Sequence, residues 1–273
     1  MSRTPHTPPR CLRWRSRRST WAPRRETLNP SRYEVSLLDE ERAKAFVTEH
    51  HYSGSYPAAR LRCGLWRWRP GTLGELVGVA VFSVPCQQRV VPRWLGVEPL
   101  EGVEVGRFVL LDDVPFNGET YFLARAFRLL REHKPTVRAV VSYSDPVARR
   151  TLGGEVIKPG HYGTIYQAHN ARFLGRSSSK TLYLTPDGRA LSGRALSKIR
   201  LGERGQDAAQ ARLVELGLPE RDRGESGEGY VARVLGSRAV RPVRHPGNFV
   251  YGWALDRRVK LKQAGGYPKE AAS

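Results

Sequence analysis

Three short stretches of this chain carry residues that can exchange protons, ligate a metal or hold a base. The first is His50-His51-Tyr52-Ser53-Gly54-Ser55-Tyr56. Imidazole titrates near neutrality and binds metals, so His51 can act as a metal ligand or a proton shuttle. The second is Val141-Ser142-Tyr143-Ser144-Asp145-Pro146, an apolar run that ends in three hydroxyls, a carboxylate and a proline. An Asp at such a place can orient or deprotonate an amine, or bind a metal. It can equally cap the turn before Ala148-Arg149-Arg150. The third is Gly160-His161-Tyr162-Gly163-Thr164-Ile165-Tyr166-Gln167-Ala168. Glycines such as Gly163 permit close backbone approach. The aromatics can hold a flipped base, and Gln167 can read its Watson–Crick edge. The same side chains also suit ordinary packing.

The elements around these stretches follow from periodicity and punctuation. Tyr33–Leu38 reads as a strand. Asp39 is a good N-cap, and Ala43, Phe46 and Val47 fall at helical spacing through Arg42–Glu49. Residues 50–57 are irregular. Leu61–Trp68 and Leu76–Val84 read as a hairpin around Pro70-Gly71, and Val103–Leu111 as a further strand. Asn117 is expected to cap a helix from Glu119 to Glu132. Val137–Tyr143 reads as a buried strand, with short strands around Thr164–Ala168 and Thr181–Leu184. The order β-α-β-β-β-α-β predicts an α+β (mixed α/β) fold, a central mixed sheet flanked by helices. Ser142, Tyr143 and Asp145 then sit at the carboxyl end of a strand, where ligand crevices open in such sheets.

Forty-six Lys and Arg against 26 Asp and Glu give a formal net charge of +20 over 273 residues. A charge of that size draws a protein to polyphosphate or to an anionic surface. Residues 1–30 are rich in Arg and Pro, with Trp14 and Trp21 among the arginines. They read as a basic flexible arm, with a catalytic domain over residues 31–205 and a polar linker with a basic C-terminal extension over 206–273. In that extension, a helix is expected at Ala208–Leu216, a linker at Pro219–Gly229, and a strand followed by a basic helix between His245 and Lys269. Cys11, Cys63 and Cys86 are odd in number and widely spaced, which speaks against a disulfide framework or a Cys-rich zinc site. No apolar run approaches the roughly 18 residues that cross a bilayer, and no apolar segment follows the basic N-terminus as a secretory signal requires. A cytoplasmic location is expected.

The stretch Glu104-Val105-Gly106-Arg107-Phe108-Val109-Leu110-Leu111, followed by Asn117-Gly118-Glu119-Thr120-Tyr121-Phe122-Leu123-Ala124-Arg125-Ala126, resembles the Mom family of phage DNA-modification proteins. So do Ser142-Tyr143-Ser144-Asp145-Pro146 and His161-Tyr162-Gly163-Thr164-Ile165-Tyr166-Gln167-Ala168, with His51-Tyr52-Ser53 at the family's His-Tyr pair. The likeness spans roughly residues 45 to 200. It implies an acetyltransferase-like (GNAT-like) fold and the replacement of a hydrogen on the exocyclic amine of adenine by a carbamoylmethyl group, which protects phage DNA from restriction. Double-stranded DNA is then the partner, and iron is an implied requirement.

By position, the resemblance implies His51, Tyr52, Ser142, Asp145 and Tyr166 as catalytic candidates, with His51 and Asp145 as possible metal ligands. Arg107, Tyr143, Gly163 and Gln167 are candidates for binding the substrate. Asp145 would orient or deprotonate the amine, Tyr166 and Tyr52 would wall the base, and Arg107 would hold a phosphate or an anionic donor. The donor itself is open, acyl-CoA and aminoacyl types both being conceivable. Acyl-CoA transferases grip pyrophosphate with backbone N–H groups of a glycine-rich turn. Here that junction reads Leu111-Asp112-Asp113-Val114-Pro115-Phe116-Asn117-Gly118, and its acids would repel pyrophosphate. An acyl- or aminoacyltransferase acting on a non-DNA amine explains the fold but not the charge. A non-enzymatic phage DNA-binding protein explains the charge but leaves Asp145 and His51-Tyr52 idle.

Overall fold

The structure is a computed structural model, which describes residues 10–15, 18–23 and 27–269 apart from 52, 72 and 159. In chain order the strands and α-helices are β1 (Arg10–Arg15), β2 (Arg18–Pro23), β3 (Tyr33–Leu37), α1 (Glu40–His50), β4 (Ala59–Arg67), β5 (Glu75–Ser83), α2 (Val90–Leu95), β6 (Gly102–Leu110), α3 (Gly118–His133) and β7 (Ala139–Ser144). There follow β8 (Arg149–Arg150), β9 (Val156–Lys158), α4 (Thr164–Ala168), β10 (Arg172–Arg176), β11 (Lys180–Leu184), α5 (Gly193–Leu201), α6 (Gln206–Glu215), α7 (Gly227–Gly236), β12 (Arg241–His245) and β13 (Phe249–Ala254).

Two compact units interleave along the sequence. The first comprises residues 1–146, 161–176 and 248–273. Its seven-stranded sheet runs β10-β13-β7-β6-β5-β4-β3. Every neighbouring pair is antiparallel except β6 and β7. Helix α3 makes the crossover that a parallel pair requires. β6 and β7 pair only from Gly102↔Ala139 to Glu104↔Val141, and beyond that rung they part. A mixed sheet with helices on its faces and one parallel pair that diverges is the acetyltransferase-like arrangement the resemblance implies.

Local chemistry explains the elements that hold the site. Asp39 accepts the Arg42 N–H at 2.8 Å and starts α1 as expected from an N-cap. α3 lays Phe122, Leu123, Ala126, Phe127 and Leu130 on one face of the sheet, against Val103, Val105 and Val140. The other face is covered in two patches. α1 packs Ala43, Phe46 and Val47 on Val79, Val81 and Val109, and α2 packs Val91 and Leu95 on Ala139 and Val141. A register shift between Val81 and Phe82 places a β-bulge at Gly106 of β6. There a Cβ would lie 2.2 Å from Ser83 Oγ, so only glycine fits.

The second unit comprises residues 147–160 and 177–247. It has its own core of Leu196, Ile199, Leu213, Leu218, Tyr230, Val231 and Val234, on α5, α6, α7 and the turn after α6, beside the β11–β12 hairpin.

Several local expectations need correction. Asn117 precedes α3 but has φ +69° and makes no side-chain bond to the helix. Thr164–Ala168 is a short helix, because Gly163 at φ +72° turns the chain and its carbonyl accepts from Tyr166 and Gln167 N–H. The expected linker at Pro219–Gly229 runs into α7, whose N-cap Ser226 accepts from Gly229 N–H at 3.0 Å. No helix follows β13 among the described residues, since Asp256 binds the N–H and guanidinium of Arg258 in a local turn. Arg10–Arg15 and Arg18–Pro23 pair as a hairpin, within the stretch expected to be a flexible arm. No helix among the described residues is long and apolar enough to cross a membrane.

Candidate active site

The opening between β6 and β7 brings the first two sequence clusters to one end of the sheet. A continuous hydrogen-bond chain links His51 to Arg107. His51 Nδ1 lies 2.9 Å from Ser53 Oγ and accepts the Ser53 N–H at 3.2 Å. Ser55 Oγ donates to Ser53 Oγ at 3.2 Å, and Arg107 donates to Ser55 O at 2.9 Å and to Ser55 Oγ at 2.8 Å. His51 is also the C-cap of α1 and is buried. Arg107 is thus a clamp on the 51–57 segment, with a third nitrogen on the Gly106 carbonyl. That placement differs from the expected phosphate or donor contact. Tyr52 lies outside the described residues.

Glu104 continues this chain electrostatically. It projects from β6 on the α1/α2 side, opposite Val103 and Val105. Burial pushes its carboxyl up to about 7, and the positive charge of Arg107 partly offsets that. Tyr143 of β7 faces the same side and packs among Val91, Leu95 and Val141. Burial, then the neighbouring Glu104 charge, pushes its phenol up, so it stays protonated and can donate.

Ser142 faces the other way, toward α3, opposite Tyr251 in the β7–β13 register. Its Oγ is fully buried and has no hydrogen-bond partner among the described residues. Asp145 follows the strand end, 6% exposed, and its carbonyl accepts the His161 N–H at 2.9 Å. The third sequence cluster is therefore tied to the second through main chain.

Within that third cluster the roles differ from expectation. The Gln167 amide donates to Tyr162 O at 2.8 Å, Tyr251 Oη at 3.0 Å and Pro268 O at 3.1 Å. It is a brace for the 162–167 turn, with its donors already engaged. Tyr166 is buried in the main core, 5.5 Å from both the Tyr251 and Trp253 rings, and does not present a face to a base. Gly163 lies against the Tyr251 ring, so its role here is close packing. Tyr251 donates its hydroxyl to Tyr162 O and is itself pushed up by burial.

The Mom protein family matches residues 32–219. The chain belongs to that family. Comparison with curated proteins gives no match. Among solved structures the chain is similar to a "Tandem GNAT protein from the clavulanic acid biosynthesis pathway (without AcCoA)", at 9% identity and a TM-score of 0.41, over 81% of this chain and 98% of that one.

Family membership makes this a DNA-modifying transferase by kind, and the geometry bears on what it can hold. The β6–α3 junction does not fit an acyl-CoA pyrophosphate. Asp112 and Asp113 stand in the turn, and Asp113 pairs with Arg67 at 2.7 Å. The Leu28 N–H bonds Phe116 O at 2.9 Å, and Leu28 Cδ1 lies 3.6 Å from where a Gly118 Cβ would be. The junction is acidic and covered by the chain itself. Nor does a protein-made iron cage fit: among the described residues, no three His, Cys, Asp or Glu side chains come together to hold a metal ion.

Sequence reasoning missed Glu104 and Tyr251. Glu104 stood in the motif that carried the resemblance, two residues before the Gly106-Arg107 step. A carboxylate inside an otherwise apolar strand was the available signal. Tyr251 is 106 residues beyond Asp145 in sequence and carries no local signal of its place beside Ser142.

Proposed function

We propose that this Mom-family protein transfers a carbamoylmethyl group to the exocyclic amine of adenine in double-stranded DNA, and that the product protects phage DNA from restriction in the cytoplasm of a bacterial host. The observation that carries this reading is that Asp145 and Ser142, whose hydroxyl has no hydrogen-bond partner among the described residues, both stand at the carboxyl end of β7, where β6 and β7 part, in a chain of that family.

The adenine amine is a weak nucleophile because its lone pair is delocalised into the ring. The enzyme must take the base out of the stack, desolvate it and accept a proton. Asp145 accepts a hydrogen bond from the amine and takes its proton as nitrogen forms the new bond to the methylene carbon of the carbamoylmethyl group, while the bond from that carbon to its donor breaks and the donor fragment leaves with the electron pair. Ser142 donates its otherwise unused hydroxyl to the base. On the opposite face of the sheet, Tyr143 keeps a phenol that can donate and Glu104 a carboxyl that exchanges a proton near neutrality. The His51–Ser53–Ser55–Arg107 chain holds the loop after α1 beside the site.

The reading is tested by plasmid DNA from cells that express the protein. Such DNA resists endonucleases whose recognition sites contain adenine, and Asp145→Ala restores cutting. Equal cutting with wild-type and variant protein, both folded, contradicts it.

A further inference from the structure

A cleft of about 650 Å³ lies away from this opening, at the other end of β7 and β13. Its walls come from α3, the turn after α4, the start of β10 and residues 252–261. Arg131, Arg172, Arg257 and Lys260 line it, with His169, Asn170 and Trp253, and no acidic side chain does. All four cations are exposed, and none has a side-chain hydrogen bond or ion pair among the described residues. That separates them from the arginines nearby: Arg138 binds Glu101 at 3.0 Å and Asp256 at 3.2 Å, and Arg258 binds Asp256 at 2.8 Å. Four like charges in one concavity repel each other, and an anion among them relieves that repulsion.

We infer that this cleft holds backbone phosphates of duplex DNA beside the target base, as a contact that positions the duplex without reading its sequence. The inference rests on the DNA reading above and adds where the flanking duplex lies. Arg and Lys contacts to phosphate fix register and orientation and carry no base information. The ring of Trp253 is buried, which leaves the half-buried His169 imidazole and Phe127 as the other rings of the lining and no large exposed aromatic on which to stack a free nucleotide's base. Along β13, Phe249 pairs with Ser144 and Ala254 with Ala139. Five strand residues separate the cleft from the Asp145 end, about 16 Å at a rise of about 3.3 Å per residue. That is about five base-pair steps of duplex.

The test is fluorescence anisotropy of a labelled duplex, titrated with full-length protein over a range of salt. The cleft variant is Arg131→Gln, Arg257→Gln and Lys260→Gln together. The control removes the same charge from exposed, unpaired residues of the second unit: Arg204→Gln, Arg223→Gln and Arg238→Gln. Melting curves establish that both are folded. The expected result is at least a tenfold loss of affinity in the cleft variant, a smaller loss in the control, and a salt slope shallower by about 3, since each phosphate contact contributes about 0.9. A cleft variant that binds like the control overturns the inference and leaves the modification reading intact. So does a wild-type protein whose cleft takes AMP or pyrophosphate in preference to duplex, with duplex affinity unchanged in the variant. Wild-type protein that fails to bind duplex at low salt overturns both.

Discussion

The ring of Tyr251 occupies the space that any side chain at position 163 would need: a Cβ on Gly163 would lie 2.4 Å from Tyr251 Cε2. Gly163 also has φ +72°, a conformation that side-chain-bearing residues adopt at a cost. Tyr251 in turn lies opposite Ser142, so the turn at 163 and the strand end at 142–145 are positioned by one aromatic ring. Gly163→Ala is expected to destabilise the fold by about 2–4 kcal/mol, from backbone strain and overpacking together. Chemical denaturation measures it, and a loss below 0.5 kcal/mol contradicts the close packing.

Gln167 distinguishes a brace from a base reader. If its amide holds the 162–167 turn, Gln167→Leu leaves the Tyr162 and Pro268 carbonyls and the Tyr251 hydroxyl short of a donor. The expected cost is about 1–3 kcal/mol, with the choice of adenine unchanged among the products. A shift in which base is modified, at unaltered stability, would restore the reading role.

Arg107→Lys tests the clamp on residues 51–57. Lysine is a single point charge and cannot make the forked contact to Ser55 O and Oγ. The variant is expected to be cut faster by protease within 51–57 and to lose at least tenfold in modification rate. Cleavage at the wild-type rate would mean that the fork does not hold the segment.

The Glu104 carboxyl makes stability depend on pH. Burial raises it from about 4.5 to about 7, so folding favours its protonated form. That contribution is fully present below the unfolded pKa and is lost as pH rises through about 7. Wild-type protein should therefore lose stability between pH 5 and pH 8, by an amount on the order of 2 kcal/mol from this group. Glu104→Gln stays neutral throughout and should be the more stable protein at pH 8 but not at pH 5. Parallel melting profiles for the two proteins would contradict the burial of this carboxyl.

Short-range signals made much of the fold legible. The Asp39 cap, the hairpin around Pro70-Gly71, the buried strand read at Val137–Tyr143 and found at Ala139–Ser144, and the apolar stripe of α3 all lie where, or within two residues of where, local spacing puts them. The site was legible as residues rather than as roles. His51 and Arg107 are 56 positions apart in sequence, and only the fold shows that Ser53 and Ser55 join them. Gln167 and Tyr166 have types suited to a base, yet Gln167 is spent on Tyr162, Tyr251 and Pro268, and Tyr166 on Tyr251 and Trp253. Apart from Tyr162, those partners come from β13 and the residues after it, about a hundred positions away for Pro268. No local pattern reports so distant a contact. α7 escaped notice because its Gly- and Glu-rich start reads as linker, while Tyr230, Val231 and Val234 bury against a core that forms only in three dimensions.

The most direct test is mass spectrometry of nucleosides from plasmid DNA co-expressed with the wild-type protein and with Asp145→Ala. The expected result is a deoxyadenosine species heavier by a carbamoylmethyl group in wild type and its disappearance in the variant, with both proteins folded. Unmodified adenosine with folded wild-type protein, or the same heavy species at full level in Asp145→Ala, contradicts the assignment.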